Sequence, residues 1–161
     1  MHEEHNVETR FHQRIRLDRA VYADPSTICS VTIAVKNRRP VFSDPRVATA
    51  TVETLRDRAS KTGVPIYGYC VMPDHVHLVL GSSPTCDIVT FVGQFKNLSQ
   101  RQAWSLVVKC AFWQTSFWDH ALRKDEDPRR AVAYVLENPV RKGLSRDVSD
   151  YPFAGSWVFE F

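Results

Sequence analysis

Several features that would sort this chain at once are missing from it. No apolar run approaches the roughly 20 residues needed to span a bilayer; the longest uncharged one, around Val64–Val71, falls far short. The opening Met1-His2-Glu3-Glu4-His5 is polar and acidic, which predicts neither a signal nor a transit peptide. The four cysteines (Cys29, Cys70, Cys86, Cys110) form no C-x-x-C pair, and each lies in an apolar run, so they read as reduced core residues. No G-x-x-x-x-G-K-[ST] loop occurs, which argues against a nucleotide cofactor. Repeats, low-complexity tracts and Gly/Ser linkers are also lacking. These absences predict a soluble, cytoplasmic protein of one domain with no membrane contact.

What is present suits one globular core. The 161 residues are 43% hydrophobic and 24% charged, near the averages for folded domains. The net charge of +3 is mild, but 15 of the 21 basic residues are arginine. Guanidinium groups match phosphate oxygens in pairs, so the bias favours an anionic partner. The basic residues gather at Arg10, Arg14, Arg16 and Arg19, at Arg38 and Arg39, and at Arg141, Lys142 and Arg146. A solvated face is the ordinary meaning of each such cluster.

The polar first 26 residues end in the turn signal Ala23-Asp24-Pro25-Ser26. The β-branched alternation of Ile28–Val35 predicts a strand, ended by Asn37-Arg38-Arg39-Pro40. From Pro45 to about Lys61 the apolar spacing is helical, with Gly63 placed as a C-cap. Ile66–Met72 and His75–Leu80 predict a hairpin across Pro73-Asp74. Ile88, Phe91, Val92, Phe95 and Leu98 mark a second helix, and residues 111–122 a loop leading into a short strand. Asp127-Pro128 then opens a last helix that should run to Asn138 and stop before Pro139. The order β-α-β-β-α-β-α predicts an α+β, ferredoxin-like antiparallel sheet with two crossover helices on one face and one further C-terminal helix.

His75-Val76-His77 is the most informative tripeptide. On a strand the two imidazoles project from one face while Val76 enters the opposite layer, which makes a metal half-site. Both rings are expected to point outward. Two surface histidines on a half-exposed strand are the plainer meaning. A third ligand has to come from elsewhere, and the last helix offers Tyr134 and Asn138 one turn apart on a shared face. Its stripe of Val132, Val135 and Leu136 would dock it. Taken alone, Tyr134 suits a packing aromatic and Asn138 a helix terminus before proline.

The stretch Tyr69-Cys70-Val71-Met72-Pro73-Asp74-His75-Val76-His77-Leu78-Val79 resembles the His-hydrophobe-His signature of single-tyrosine HUH transposases. About 57 residues after His77 stands Tyr134-x-x-x-Asn138-Pro139-Val140-Arg141-x-Gly143-Leu144. This segment, with Phe112-Trp113-Gln114 and Phe117-Trp118-Asp119-His120, is similar to the REP-associated tyrosine transposase branch. The likeness runs from about residue 10 to residue 145. It implies an enzyme that cuts and joins single-stranded DNA with Mg²⁺ or Mn²⁺, forming a 5′-phosphotyrosine and releasing a 3′-hydroxyl. By the same resemblance His75, His77 and Asn138 would hold the metal and Tyr134 would be the nucleophile. It divides the chain into a basic extension (1–26), a catalytic core (27–145) and a tail (146–161). The repeat-associated branch implies a monomer rather than a homodimer. Departing from the family pattern, Tyr22 is followed by a turn, so that the first strand begins later.

That chemistry accounts for the residue types. A phosphodiester repels nucleophiles because its oxygens are anionic, and a divalent cation offsets this charge. A phenol near pKa 10 is a weak nucleophile until phosphate and phenolate are both assisted. Candidate contacts to single-stranded or hairpin DNA are Arg14, Arg16, Lys96, Arg141 and Lys142. The alternative is a non-catalytic, domesticated nucleic-acid-binding protein that stacks bases on a ferredoxin-like sheet, for which Tyr67 and Tyr69 alternate suitably on one strand. A small-molecule metalloenzyme would need positioned carboxylates that the sequence does not offer.

Overall fold

The computed structural model describes residues 17–107 and 109–161. Its elements are α1 (Arg19–Ala23), β1 (Ile28–Ala34), α2 (Pro45–Thr62), β2 (Ile66–Met72), β3 (His75–Gly81), α3 (Ile88–Leu106), β4 (Trp118–Ala121), α4 (Pro128–Leu136), α5 (Asn138–Arg141) and β5 (Ala154–Gly155). The strands form one antiparallel sheet in the order β4-β1-β3-β2-β5. This is the ferredoxin-like arrangement that the sequence predicts, with β5 added at one edge. No described helix is long and apolar enough to cross a membrane.

Local chemistry starts and stops the helices. Asp44, Asp87 and Asp127 cap α2, α3 and α4, each accepting a hydrogen bond from a backbone N–H of the first turn. Proline follows the cap in α2 and α4, where its missing N–H costs nothing. Gly63 ends α2 with φ +72°, a left-handed conformation that favours glycine. Arg19–Ala23 is a short helix within the polar first segment; Asp18 caps it, and Tyr22 is buried.

The sheet separates two apolar layers. The larger packs Val31, Ile33, Val71, Val76, Leu78 and Leu80 against α2 and α3 through Val47, Leu55, Phe91 and Phe95. The smaller joins Cys70, Met72 and Val79 to Val132, Val135 and Leu136 of α4 on the opposite face. Gly68 permits this docking, because a Cβ there would lie 2.6 Å from Val132 Cγ1. The tail returns along β2: the Ser156 hydroxyl donates to the Tyr67 carbonyl, and Trp157 packs on Tyr69 at 4.7 Å between ring centroids.

Two sequence expectations change here. The β2 register shifts between Ile66 and Gly68, so Tyr67 and Tyr69 do not share a face. Tyr69 enters the larger core and Tyr67 packs beside the smaller one under Phe159, which takes both from the base-stacking role. Among the cysteines, Cys29, Cys70 and Cys86 are buried but Cys110 is exposed. The apolar run leading to it leaves the core after Ala103, as the exposure of Trp104, Leu106 and Val107 shows.

Candidate active site

His75 and His77 share the α4 side of β3, opposite the fully buried Val76. Their Nε2 atoms converge to 2.9 Å, with the ring planes at 87°. Each outer nitrogen has its own partner. His75 Nδ1 lies 2.6 Å from Asp74 Oδ1, and His77 Nδ1 lies 3.0 Å from Thr32 Oγ1 on β1. Arg38 completes the chain by donating from Nε to Asp74 Oδ2 at 3.0 Å. It reaches there from a turn in which Asn37 and Arg38 both hold positive φ, 56° and 53°. Such left-handed residues cost roughly 1–2 kcal/mol each, here offset by contacts around the turn.

Electrostatics keep His77 available to a cation. The hydrogen bond from His75 holds the Asp74 carboxyl below its ordinary pKa. Burial, then the neighbouring charges of His75, Arg141 and Arg38, push His77 down to about 3. Its ring is therefore neutral at ordinary pH and retains a lone pair.

The donor geometry fits a metal. The two Nε2 atoms lie 2.9 Å apart, close enough to face one small cation together. Outer nitrogens tied to a carboxylate and a hydroxyl fix ring orientation, as at established metal histidines. Among the described residues no group of three His, Cys, Asp or Glu side chains could hold a metal.

The expectation of two outward rings holds for only one. His77 is partly exposed, whereas His75 retains only 6% of its exposure. His75 stands beside Met72, which α4 buries, and its Nδ1 is occupied by Asp74.

Tyr134 lies off the docking stripe of α4 and is 64% exposed. The Arg141 guanidinium sits 3.9 Å over its ring centroid, and Arg141 Nη2 donates to the Tyr134 carbonyl at 2.8 Å. The described residues include all five tyrosines, and the other four are engaged. Tyr22 donates to buried Asp119, and burial pushes its pKa up to about 12. Tyr151 donates to the Val71 carbonyl, and burial likewise raises it to about 12. Burial raises Tyr69 as well, and Tyr67 lies half-buried under Phe159.

Asn138 is buried at the start of α5. Helix α4 stops before Pro139 as expected, but at Leu136 rather than Asn138. Glu137 joins it to α5, and Pro139 falls in the first turn of α5, where its ring is tolerated. Asn138 thus opens a second, short helix. Of the DNA-contact candidates, Arg141 and Lys142 are exposed. Lys96 is half-buried and donates to the Gln114 and Thr115 carbonyls, so it holds the loop before β4. Arg14 and Arg16 lie outside the described residues. The sequence reading missed Asp74, Thr32 and Arg38 as supports of the histidines. Asp74 adjoins His75 in the chain; Thr32 becomes visible only once β1 pairs with β3.

Comparison with known proteins bears on the family and the fold. The family described as "Transposase IS200 like" matches residues 26–125. The REP-associated tyrosine transposase of Escherichia coli K12 is 29% identical over 126 residues, covering 76% of this chain and 72% of that protein. The ISDra2 transposase TnpA of Deinococcus radiodurans is 31% identical over 109 residues, covering 65% and 77%. A solved structure of a REP-associated tyrosine transposase bound to a REP hairpin superimposes with a TM-score of 0.70 at 25% identity, covering 88% of this chain and 82% of that one.

Proposed function

Since the chain belongs to the IS200-like transposase family, we propose that it nicks and rejoins single-stranded DNA through a 5′-phosphotyrosine on Tyr134. Its relatives are tyrosine transposases, and like them it is a DNA-cleaving enzyme. In this reading His75, His77 and Asn138 hold Mg²⁺ or Mn²⁺, within a catalytic core spanning residues 27–145. The backed, converging Nε2 pair is the observation that carries it. Two imidazoles are softer ligands than Mg²⁺ prefers, so Mn²⁺ should serve at lower concentration. A bound cation would offset charge on a non-bridging oxygen of the scissile phosphate and polarise phosphorus.

The chain's own residues supply the rest. The Tyr134 oxygen forms the new bond to phosphorus as the bond to the 3′-oxygen breaks. The phenolic proton is lost, and the departing 3′-oxygen gains one. Arg141, stacked on the phenol ring and bonded to the Tyr134 carbonyl, holds the ring in place beside the strand it attacks. Phosphotyrosine keeps the energy of the broken diester, so a second 3′-hydroxyl reverses the step and joins strands without ATP.

A hairpin or palindromic repeat is the preferred substrate in this proposal; the relative solved with a REP hairpin supports it. We also read the protein as a monomer. Its edge strands are only four and two residues long, too short to extend the sheet well into a second copy. The test is a labelled single-stranded hairpin incubated with Mn²⁺ and run on a denaturing gel. A covalent protein–DNA band that vanishes with chelator is expected. Cleavage with no covalent band would make the protein a hydrolytic nuclease instead.

A further inference from the structure

Helix α4 carries Tyr134, and its two ends are held in different ways. The stripe of Val132, Val135 and Leu136 seats it on Cys70, Met72 and Val79 of β2 and β3. Apolar packing is non-directional, so it keeps the stripe down without fixing the helix along its axis. Residues 122–127 tether the other end to β4. Fully extended, these six residues span ~20 Å, more than the ~12 Å from β4 across to the middle of β3 and β2. The tether alone does not fix where α4 starts.

A directional contact does. Ser30 and Thr32 are two apart on β1 and share a face; Thr32 meets His77 there, and Ser30 is paired with His120 of β4. His120 thus stands on the face on which α4 docks. Its Nε2 lies 3.1 Å from both carboxylate oxygens of Glu126, the residue just before the Asp127 cap. This hydrogen bond is the largest cause holding the Glu126 carboxyl below its ordinary pKa. An ionised carboxylate only accepts, so Nε2 carries the proton. The Arg123 backbone N–H donates to Glu126 Oε1 at 3.2 Å, and the Glu126 N–H returns to the Arg123 carbonyl at 3.0 Å. One carboxylate therefore joins β4, the turn after it and the start of α4.

Resting on the reading of Tyr134 as the nucleophile, we propose that Glu126 and His120 are positioning residues that fix α4, and with it the phenol, for attack on the scissile phosphate. Tyr134 lies seven residues beyond the Asp127 cap, ~10 Å along the helix. A shift at the cap is carried through the helix to the phenol. Both partners are partly exposed, His120 by 40% and Glu126 by 34%, so the pair adds little to global stability. Its effect falls on geometry, where misplacing a reacting group by ~1 Å costs on the order of 100-fold in rate.

The test separates positioning from folding and from binding. Glu126→Ala and His120→Ala should each slow single-turnover cleavage of a hairpin substrate roughly 10- to 100-fold. DNA affinity and the thermal unfolding midpoint should stay near wild type. The double variant should be no slower than either single one, since both remove the same contact. His120→Gln should restore most of the rate, because its amide N–H₂ reaches Glu126 from nearly the same place. Wild-type rates in both alanine variants overturn the proposal. Parallel losses of rate, affinity and unfolding midpoint overturn it too, because they mark a purely structural contact. Hydrogen exchange on the DNA-free protein reads the anchoring without any cleavage. Glu126→Ala should speed exchange roughly 10-fold over residues 131–135 and leave the β1–β3 amides unchanged. Unaltered exchange over 131–135 overturns the proposal. If exchange quickens there but wild-type protein never forms an adduct on Tyr134, the anchoring of α4 stands and the transesterase reading fails.

Discussion

Tyr134→Phe removes a single oxygen from an exposed ring and leaves its stacking beneath Arg141 in place. DNA binding and metal binding should persist while the covalent adduct disappears, so the loss falls on the chemical step. Mass spectrometry of the trapped wild-type adduct checks the assignment; a nucleotide remnant on Tyr22, Tyr67, Tyr69 or Tyr151 would refute it. A second change probes the support rather than the ligand. Thr32→Val keeps the side-chain shape but deprives His77 Nδ1 of its partner 3.0 Å away. Loss of such a partner typically weakens metal affinity by about 10- to 100-fold. The Mn²⁺ concentration giving half-maximal cleavage should rise accordingly. No change would mean that Thr32 does not orient the ring.

The α4 helix joins its docking stripe and Tyr134 in one element, so its seating decides where the phenol stands. That seating depends on Gly68, where a Cβ would press to 2.6 Å of Val132 Cγ1 and 3.1 Å of Cγ2. Branched Val132 has little freedom to move aside, so the helix must shift. Gly68→Ala should cost about 1–3 kcal/mol of stability, the usual range for overpacking, and should lower cleavage more than DNA binding. Adding Val132→Ala opens the space and should recover part of both. Thermal unfolding and single-turnover cleavage of the single and double variants measure this; strictly additive losses would show that the two residues do not compete for one space.

The molecule sets two apolar layers on either side of one sheet, and among the described residues every arginine and lysine but Arg58 and Lys96 is exposed. Affinity for single-stranded DNA should fall steeply with salt, because each phosphate neutralised by an arginine or lysine releases a counterion. Equilibrium binding between low and physiological ionic strength checks this, and a flat curve would rule out a phosphate-dominated contact. The monomer reading makes a different demand. A mixture of His75→Ala and Tyr134→Phe proteins should stay inactive if each chain supplies its own histidines and tyrosine. Recovery of covalent adduct in the mixture would show that two chains share a site.

Much of this was determined by local sequence. The Asp-Pro openings of α2 and α4, the Gly63 stop and the alternation of β1 follow from backbone preferences and hydrogen bonds that close within a few residues. His75 and His77 share a face because strand periodicity puts them there. The position of Tyr134 off the Val132–Val135–Leu136 stripe follows from helical spacing in the same way. Tertiary structure decided what depends on pairing between distant segments. Which residue lies beside His77 was set by the register of β1 on β3. The irregularity at Tyr67 sent two tyrosines to different layers, because one unpaired residue reverses the alternation. The burial of His75 came from its place beside Met72 under α4. Periodicity orients a side chain within its own element; only long-range packing determines what it meets there.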